Sequence, residues 1–380
     1  DPAWGSAFGW DELSAVTDDI ERTLNIGPTE PSVAGANNEL LAIGAQRLGL
    51  EHRPIERNVN GCEGLGRCLQ VCPNGHKMSM DRTYLSRAAA LGARILTGAR
   101  VIRVASNRVE FVDVTSQTRQ VVSARAVVVA ASAVQTPALL LRSGAKHRGI
   151  GRGFMAHPGA SMAGRFAQEV DVWTGATQGH EVIGLRKQGI KFEALGFDLA
   201  IGASRFKSVG QALTRDIEDM GHWAHWGAAI RAQSQGRVRP TRIFGGSSSV
   251  SVTYELGPAD MAKVRRGVAV LGEMMLAAGA DFVTPGVHGF DEKVDDPARM
   301  RMLDANGPLD PRAYAMVLTH MFSTCRMGSS PDQPVALDFS VRGLPGVYVA
   351  DSSVFPSNTG VNPQTSIIAM ATLCGRRLVV

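Results

Sequence analysis

Three stretches near the carboxyl end decide the fold: T-H-M-F-S-T-C-R-M-G (Thr319 to Gly328), G-V-Y-V-A-D-S-S-V-F-P (Gly346 to Pro356) and N-T-G-V-N-P-Q-T-S-I-I-A-M-A (Asn358 to Ala371). In the second stretch, the apolar run from Val347 to Ala350 ends at Asp351 and Ser352. Such a run is typical of a buried parallel strand, and open α/β sheets bind ligands at the carboxyl ends of their strands. The pattern therefore predicts that Asp351 and Ser352 lie at a ligand site.

The third stretch predicts a helix that begins beside that site. Pro363 follows Asn362 and suits a first helical position, because the N–H that proline lacks would have no partner there. Apolar residues then recur at helical spacing through Ile367, Ile368 and Met370. The start of such a helix directs free N–H groups and a positive dipole end toward whatever lies beyond Asn362.

These motifs resemble the carboxyl-terminal signature of the glucose-methanol-choline (GMC) family of flavin oxidoreductases. The shared features are a histidine ahead of an S-T-x-R-M-G run, a Y-V-A-D-x-S strand end and a G-x-N-P helix start. The resemblance implies that His320 is the catalytic histidine and that Asn362 is its partner. It further implies that FAD contacts Asp351, Ser352, Asn362, Pro363, Gln364 and Thr365.

The composition is typical of a soluble globular α/β protein. The chain has 380 residues, of which 44% are hydrophobic and 20% charged, and it contains 42 glycines. No apolar run approaches the roughly 20 residues that a transmembrane helix needs. The net charge is only +5, and the basic residues are scattered among acidic ones, which argues against a nucleic-acid partner.

One element that the resemblance implies is missing. An FAD-binding domain should begin with a strand, a G-x-G-x-x-G turn and a helix. The glycines from Gly149 to Gly153 and from Gly61 to Gly66 lack both flanking elements. We therefore expect an incomplete FAD-binding domain in this chain and a second polypeptide that supplies the G-x-G-x-x-G unit. The opening D-P-A-W-G, which has no initiator methionine, suggests a processed, cleaved or trimmed chain.

A cysteine-rich loop has two interpretations. Cys62, Cys68 and Cys72 stand in a glycine-rich stretch, and the last two form a C-x3-C-P ending of the kind found in ferredoxin-type cluster loops. Three thiolates suffice for a three-iron cluster but fall short of the usual four. The alternative is a glycine-rich loop that holds buried thiols or one disulfide pair.

The residues after these cysteines favour the loop without a cluster. The run through Lys77 and Ser79 resembles the C-P-x-x-x-K-x-S loop of long-chain alcohol oxidases and related bacterial members of the family. A zinc site would normally need four ligands, and only His76 is nearby. Five cysteines, an odd number, fit free thiols and a cytoplasmic location.

The first 144 residues contain several regular elements. Leu13, Val16, Ile20 and Leu24 recur at helical spacing before Gly27, and a second helix is predicted over about 38–48. A helix over 84–91, a strand over 93–104 broken at Gly98, and a hairpin of 108–114 with 119–123 follow.

A buried strand and a helix come next. Residues 127–131 predict a strand buried on both faces, and Thr136-Pro137 predicts the start of a helix. The resemblance implies that Val101 meets the adenine of FAD and that Ser132, at a position where the family more often has glycine, lies near the cofactor.

The middle of the chain changes character. Residues 149–158 predict a turn that contains His157 in a structural role, and Gly153 replaces the asparagine that is usual in the family. Alternating residues over 161–166, 194–201, 222–233 and 247–254 predict an antiparallel sheet, and 259–278 predict an amphipathic helix. This sheet would form the substrate domain.

We divide the chain into four parts: connecting helices with the cysteine loop (1–75), a second part of the FAD-binding domain (76–158), a substrate domain (159–317) and the carboxyl-terminal part of the FAD-binding domain (318–380). The fold class is therefore α/β with an α+β substrate part.

The hypothesis for function is oxidation of a small-molecule alcohol by hydride transfer to flavin N5. His320 would act as base or hydrogen-bond acceptor for the hydroxyl, and Asn362 would hold the same oxygen. The helix that starts at Pro363 would stabilise negative charge on the reduced ring. The alternatives are a dehydrogenase with an iron–sulfur cluster that passes electrons to an external acceptor, and a non-catalytic subunit that keeps the fold.

Overall fold

The computed structural model describes residues 9–204, 208–241 and 249–378. The helices are α1 (Trp10–Leu24), α2 (Ala36–Arg47), α3 (Tyr84–Ala90), α4 (Ser132–Arg142), α5 (Leu199–Ala203), α6 (Gln211–Glu218), α7 (Pro258–Ala278), α8 (Pro297–Asn306) and α9 (Gln364–Leu378). The strands are β1 (Ile26–Pro28), β2 (His52–Pro54), β3 (Glu56–Asn58), β4 (Ala99–Ala105), β5 (Arg108–Asp113), β6 (Arg119–Ser123), β7 (Val127–Val129), β8 (Arg152–Arg165), β9 (His180–Val182), β10 (Ile190–Ala194), β11 (Trp223–Ile230), β12 (Gly236–Pro240), β13 (Val250–Thr253), β14 (Phe282–Thr284), β15 (Met316–Phe322) and β16 (Val347–Val349). Short 3-10 helices span Pro31–Val33, Arg186–Gln188, Met220–His222, Pro311–Ala313 and Ser352–Val354.

A nine-stranded antiparallel sheet forms around the long strand β8. The strands follow the order β13, β12, β8, β11, β10, β9, β2, while β14 and β15 pair with the other edge of β8. Buried and half-buried residues alternate over the second half of β8, whereas every residue of β10 is buried. The expected antiparallel sheet is therefore present, and β15 brings His320 into it.

Helix α7 covers one face of this sheet. Its buried stripe includes Met261, Val264, Val268 and Leu271. Helix α2 packs closely on α7 at Gly44, where an added Cβ would lie 2.3 Å from a backbone oxygen of the opposing helix. The sheet is therefore backed by a rigid helical layer.

A second unit is built on a parallel strand pair. Strand β16 pairs with β7, and helices α1, α4 and α9 pack against them in one core. The antiparallel strands β4, β5 and β6 form a separate three-stranded sheet. The chain is a mixed α/β protein, as expected.

Several sequence predictions of single elements are confirmed. Helices α1 and α7, the hairpin of β5 with β6, and the parallel strand β16 lie where the residue patterns placed them. Helix α1 ends at Asn25, which has φ of 50°, rather than at Gly27, which belongs to β1. Asparagine tolerates this left-handed conformation and so ends the helix two residues earlier.

The prediction for residues 127–137 was wrong in two respects. Strand β7 is not buried on both faces, because the side chain of Val128 is 45% exposed. Helix α4 begins at Ser132, and Pro137 lies inside it. A proline in a helix leaves the carbonyl four residues earlier without its usual donor. Here the hydroxyl of Thr324 donates to the carbonyl oxygen of Ala133 at 2.7 Å and replaces that bond.

Three other boundaries also differ. The strand predicted from residue 93 begins only at Ala99, and the turn predicted over 149–158 is β8 from Arg152 onward. The strand predicted over 194–201 was wrong beyond its first residue. Ala194 is the last residue of β10, and residues 199–201 belong to α5, which Asp198 caps by accepting a hydrogen bond from Ile201 N at 2.8 Å. Of the strand predicted over 247–254, residues 247 and 248 lie outside the described residues.

Candidate active site

His320 sits at a strained point of β15. Its φ is +49°, and the pairing of β15 with β8 shifts register between Thr319 and Phe322. A non-glycine residue in the left-handed region costs free energy, and such residues cluster at functional sites. The bulge re-aims the imidazole of His320 away from the regular side-chain alternation of the strand.

The imidazole of His157 lies directly beside His320. The two Nδ1 atoms are 3.1 Å apart, and the backbone N–H of Gly360 donates to His157 Nε2 at 3.0 Å. His157 is 2% exposed. Burial, together with the positive charges of His320, Lys191 and Arg231, lowers the pKa of His157 to about 3. His157 is therefore neutral at neutral pH and has a definite hydrogen-bonding role.

A single loop connects this histidine pair to Asn362. Asn358 anchors the loop by donating to the carbonyl of Ala232 at 2.7 Å. Gly360 has φ of +69°, and a Cβ added there would lie 2.9 Å from Arg231 Cδ. The same loop that contacts His157 thus presents Asn362 two residues later. The loop thus links His157, the hydrogen-bond partner of His320, to Asn362, the residue that the sequence analysis paired with His320.

A buried charge network supports Asn362. Lys191 Nζ lies 2.6 Å from Glu181 Oε2, 2.6 Å from Glu193 Oε1 and 3.1 Å from Asn362 Oδ1. Burial opposes ionisation of Glu181, but the charges of Lys191 and Arg53 outweigh it and hold the pKa of Glu181 below its usual value. Burial lowers the pKa of His320, with opposing effects from Glu193 and Lys191.

Sequence reasoning missed this network. The available signal was I-K-F-E-A, residues 190–194, in which a lysine and a glutamate interrupt a strand that is buried at every position. Charged residues are almost never fully buried unless they are paired. The pairing partner, Glu181, lies on β9 and could not be assigned without the sheet register.

Asp351 forms a junction between elements of the second unit. Its carboxylate accepts from Ser132 N at 3.0 Å, from Ser353 N at 2.8 Å and from the hydroxyl of Thr136. The residue is 6% exposed. The strand-end position expected for Asp351 is confirmed, and its hydrogen bonds tie α4 to the end of β16.

The other predicted cofactor residues occupy varied positions. Ser132 is exposed at the start of α4 with φ of +77°, and Ser352 donates to the carbonyl of Met321 at 2.7 Å. Val101 is 40% exposed beside a bulge in β4. At the start of α9, Pro363 is buried, Thr365 is half-buried and both Asn362 and Gln364 are exposed.

A basic cleft adjoins the loop that carries Asn358 and Gly360. Its volume is about 350 Å³. The lining residues include Arg186, Lys187, Arg231 and Lys263. Lys263 is paired with Asp260 at 3.1 Å. Sequence reasoning had not predicted this cleft, because its lining residues come from five separate segments of the chain.

The cysteine loop gives the cluster interpretation no support. All five cysteines are free thiols, and Cys62 accepts a long hydrogen bond from Arg57 at 3.7 Å. Among the residues that the structure describes, no group of three or more His, Cys, Asp or Glu side chains is arranged to hold a metal ion. In the same part of the chain, no helix combines the length and apolar character that crossing a bilayer requires.

The chain is a mixed α/β protein in which the strained His320 contacts His157, and a loop joins His157 to Asn362 before the last helix. Two family models, both described as GMC oxidoreductase, match residues 3–159 and 232–371. Together they cover most of the chain, which therefore belongs to the GMC oxidoreductase family. The amino-terminal match does not support the expectation that the FAD-binding domain is incomplete.

Known proteins resemble the chain at different levels. It is 33% identical over 380 residues to an uncharacterised GMC-type oxidoreductase of Mycobacterium tuberculosis, covering 97% of this chain and 59% of that protein. It is 28% identical over 418 residues to a long-chain-alcohol oxidase of Arabidopsis thaliana, covering 98% of this chain and 53% of that protein. The chain thus spans little more than half the length of these curated relatives.

A solved structure shares the fold. The crystal structure of pyridoxine 4-oxidase from Mesorbium loti superimposes with a TM-score of 0.65 at 18% sequence identity. The match covers 93% of this chain and 71% of that one. At this level of identity the similarity concerns the fold alone.

Proposed function

We propose that this chain takes part in FAD-dependent oxidation of the CH–OH group of an alcohol, with His320 and Asn362 holding the substrate oxygen. The observation that carries the proposal is the strained His320 on β15, hydrogen-bonded to His157 at 3.1 Å. A backbone conformation that costs free energy persists only where surrounding structure holds it, and such strain is typical of active sites. Membership of the GMC oxidoreductase family agrees with this chemistry.

The residues at the predicted cofactor positions fit a flavin dinucleotide. Ser132 is small and exposed, and its left-handed φ explains why glycine is commoner at this position in the family. Helix α9 begins at the exposed Gln364, and the first amides of a helix lack acceptors within the helix. We propose that these residues, with Val101, Ser352, Pro363 and Thr365, contact FAD. When bound, FAD supplies a hydride acceptor at N5.

Apolar side chains beside His320 fit the same proposal. Val317, Leu318 and Met321 are each at least 39% exposed on β15. An exposed apolar group of this kind next to a polar catalytic residue is typical of a site that receives a flat or apolar ligand. Asp351 would contribute indirectly, by holding Ser132 in place.

The names of the relatives support an alcohol as the class of substrate, but they differ in the size of that alcohol. The Arabidopsis relative is a long-chain-alcohol oxidase, and the structural neighbour is a pyridoxine 4-oxidase. We propose an alcohol as substrate and leave its size open. The four-part division at residues 75, 158 and 317 remains a proposal, with β8 and β15 running across its last two boundaries. A cytoplasmic location is likewise proposed, supported by the five free cysteines.

A second polypeptide remains a prediction from the sequence, and the amino-terminal family match gives it no support. Intact mass spectrometry and an absorption spectrum of the native material check it together with the alternatives. We expect flavin absorbance. A companion chain would support the second polypeptide, a cluster spectrum that depends on Cys62, Cys68 and Cys72 would favour the iron–sulfur dehydrogenase, and a complete lack of flavin would favour the non-catalytic subunit.

Replacing His320 tests the proposed function. His320→Ala should lower the rate constant of flavin reduction by about 10²-fold or more while FAD stays bound, because a positioned acid–base or hydrogen-bonding group contributes at least that much. Stopped-flow absorbance measures the rate, and bound FAD is measured after gel filtration. His147→Ala serves as control, since among the described residues the imidazole of His147 hydrogen-bonds only to the carbonyl of Pro331 and the backbone N–H of Gly149. An unchanged rate in His320→Ala would remove His320 from the mechanism.

A further inference from the structure

The contacts of Lys191 fix the orientation of the Asn362 amide. An ammonium group has three N–H donors and no acceptor. Lys191 meets three oxygens, those of Glu181, Glu193 and Asn362, and its side chain is only 7% exposed. If the amide of Asn362 were turned around, its NH₂ group would face the ammonium as donor against donor. The amide oxygen therefore faces Lys191.

The other end of the amide is consequently available. Asn362 is exposed, and its Nδ2 makes no hydrogen bond to any residue in the described ranges. The Nδ2 group carries two N–H donors. A ligand at the start of α9 would meet this group as a hydrogen-bond donor.

The contacts of His157 fix the tautomer of His320 in the same way. A neutral imidazole has one N–H donor and one acceptor nitrogen. His157 Nε2 accepts from the backbone N–H of Gly360, so the His157 proton is on Nδ1. That Nδ1–H donates to His320 Nδ1 across 3.1 Å. The neutral form of His320 therefore carries its proton on Nε2.

The opposite tautomer pair would be strained. If His320 carried its proton on Nδ1, His157 would need a proton on Nε2, which would then face the Gly360 N–H at 3.0 Å. The charged and titratable groups around the pair are Lys191, Glu193 and Arg231, and burial keeps His157 neutral. The backbone of the loop thus selects one arrangement.

We propose that Lys191 and His157 are positioning residues that turn two hydrogen-bond donors, Asn362 Nδ2 and His320 Nε2, toward the substrate oxygen. The inference rests on the proposed function and adds the class of group that the site takes: an acceptor oxygen, such as an alkoxide, a carbonyl or a carboxylate. In this arrangement neutral His320 donates to the oxygen, in place of the acceptor role expected from the sequence. Two donors aimed at one oxygen stabilise negative charge on it.

Nitrogen-15 NMR of the full chain tests the tautomers directly. Two-bond proton–nitrogen correlation spectra near pH 7.5 distinguish Nδ1–H from Nε2–H imidazoles, and spectra of His320→Ala and His157→Asn assign the signals. We expect Nδ1–H for His157 and Nε2–H for His320. An Nδ1–H tautomer for His320 would overturn the proposal, and this result would not depend on any oxidation activity.

Acetate tests the donor pair as a small oxyanion. We expect acetate to shift the His320 Nε2 resonance of the wild-type chain, and Asn362→Asp to weaken this binding at least tenfold. The aspartate keeps an oxygen for Lys191 but replaces the Nδ2 donor with a second acceptor. Thermal unfolding checks that this variant is folded. No response to acetate in the wild type, or equal binding in Asn362→Asp, would overturn the proposal.

A double variant tests Lys191 itself. Lys191→Met alone leaves the buried carboxylate of Glu193 without its charged partner and threatens folding. In Lys191→Met with Glu193→Gln, Glu181 keeps its ion pair with Arg53 at 2.7 Å. We expect acetate binding to weaken about tenfold and the Asn362 side-chain amide signal to shift. Lys146→Met, at an exposed lysine outside the basic cleft, should leave both measurements unchanged. Unchanged values in the folded double variant would remove Lys191 from the positioning role.

Persistence of flavin reduction in His320→Ala would count against the proposed function, whereas the NMR and acetate measurements concern only the orientation of the two donors.

Discussion

Two of the buried carboxylate centres in this chain are neutralised in different ways. At Asp351, near the parallel strands, all three hydrogen bonds come from uncharged donors: two backbone amides and the hydroxyl of Thr136. At Glu181 and Glu193, on the antiparallel sheet, the charge is met by the ammonium of Lys191. Both solutions satisfy buried charge, as the cost of burying an unpaired carboxylate requires.

The two centres differ in whether their hydrogen bonds reach an exposed residue. The hydrogen bonds of Asp351 join α4 to the end of β16, so this centre acts as a structural junction. In the other centre, Lys191 donates one hydrogen bond to Asn362, a residue that is exposed at the start of α9. The ammonium of Lys191 thus orients the side chain of Asn362, which we propose faces the substrate. The comparison teaches that burial of charge supports architecture in one unit and site geometry in the other.

The largest expected effect is the loss of stability when the carboxylate of Asp351, the structural junction, is removed. Asp351→Ala removes the acceptor of three donors, two of which are buried, and should lower the free energy of unfolding by at least about 2 kcal/mol, since each buried donor left unsatisfied costs about 1–3 kcal/mol. Urea unfolding followed by circular dichroism measures the change.

Asp113→Ala is a matched control for Asp351. Asp113 also accepts from two backbone amides, those of Thr115 and Ser116, but at an exposed hairpin turn where water can replace the lost bonds. Its loss of stability should be much smaller. Equal losses in the two variants would contradict the description of Asp351 as a buried junction.

A second prediction concerns acid sensitivity of the sheet. Burial lowers the pKa of His157 to about 3, and burial with the neighbouring charge of His52 lowers the pKa of His180 to about 4. Below the ordinary pKa of about 6.5, the unfolded chain takes up protons at these positions while the folded chain does not. Stability should therefore fall as pH drops from about 6.5 to 5, and neither histidine contributes to this loss above that window.

The expected slope is about 1.4 kcal/mol per pH unit for each histidine once pH is well below 6.5. Urea unfolding at several pH values measures it. His180→Asn should reduce this slope without abolishing it, because His157 and His320, whose pKa values burial also lowers, still contribute. A flat profile from pH 6.5 to 5 in the wild-type chain would show that these histidines are not protected from protonation.

The smallest effect probes the strained residue that Asp351 holds. Ser132 has φ of +77°, where an L-residue with a Cβ is disfavoured and glycine is not. Ser132→Gly should be more stable than Ser132→Ala by about 1 kcal/mol, because only alanine keeps the strain. Thermal unfolding of the two variants provides the measurement. If alanine proves equal to glycine, the left-handed conformation is not maintained in solution.

Local patterns predicted the regular elements with the strongest periodicity. The apolar spacing of α1 and α7 and the strand of β16 followed from side chains within one element, so neighbours in sequence sufficed. The predictions failed where contacts with residues distant in sequence determine the local structure. Helix α4 continues through Pro137 because the hydroxyl of Thr324 replaces the lost hydrogen bond, and that residue is 191 positions away from the Ala133 carbonyl.

The residues of the candidate site show the same difference between local patterns and long-range contacts. The motifs around His320 and Asn362 could be recognised from the order of residues alone, together with the strand end at Asp351. Lys191, Glu181 and the partner role of His157 could not, because they depend on which strands are neighbours in the sheet. No local spacing encodes that register.

By itself the sequence determined the mixed α/β class, the family signature and the chemical identity of the imidazole and the amide. Only the tertiary structure decided which atoms of those groups face the site. Donor and acceptor roles of an imidazole or an amide depend on the groups beside them, and here those groups are Gly360 on a loop and Lys191 on β10. A sequence specifies which side chains are present, while hydrogen-bond direction is set by neighbours that only folding brings together.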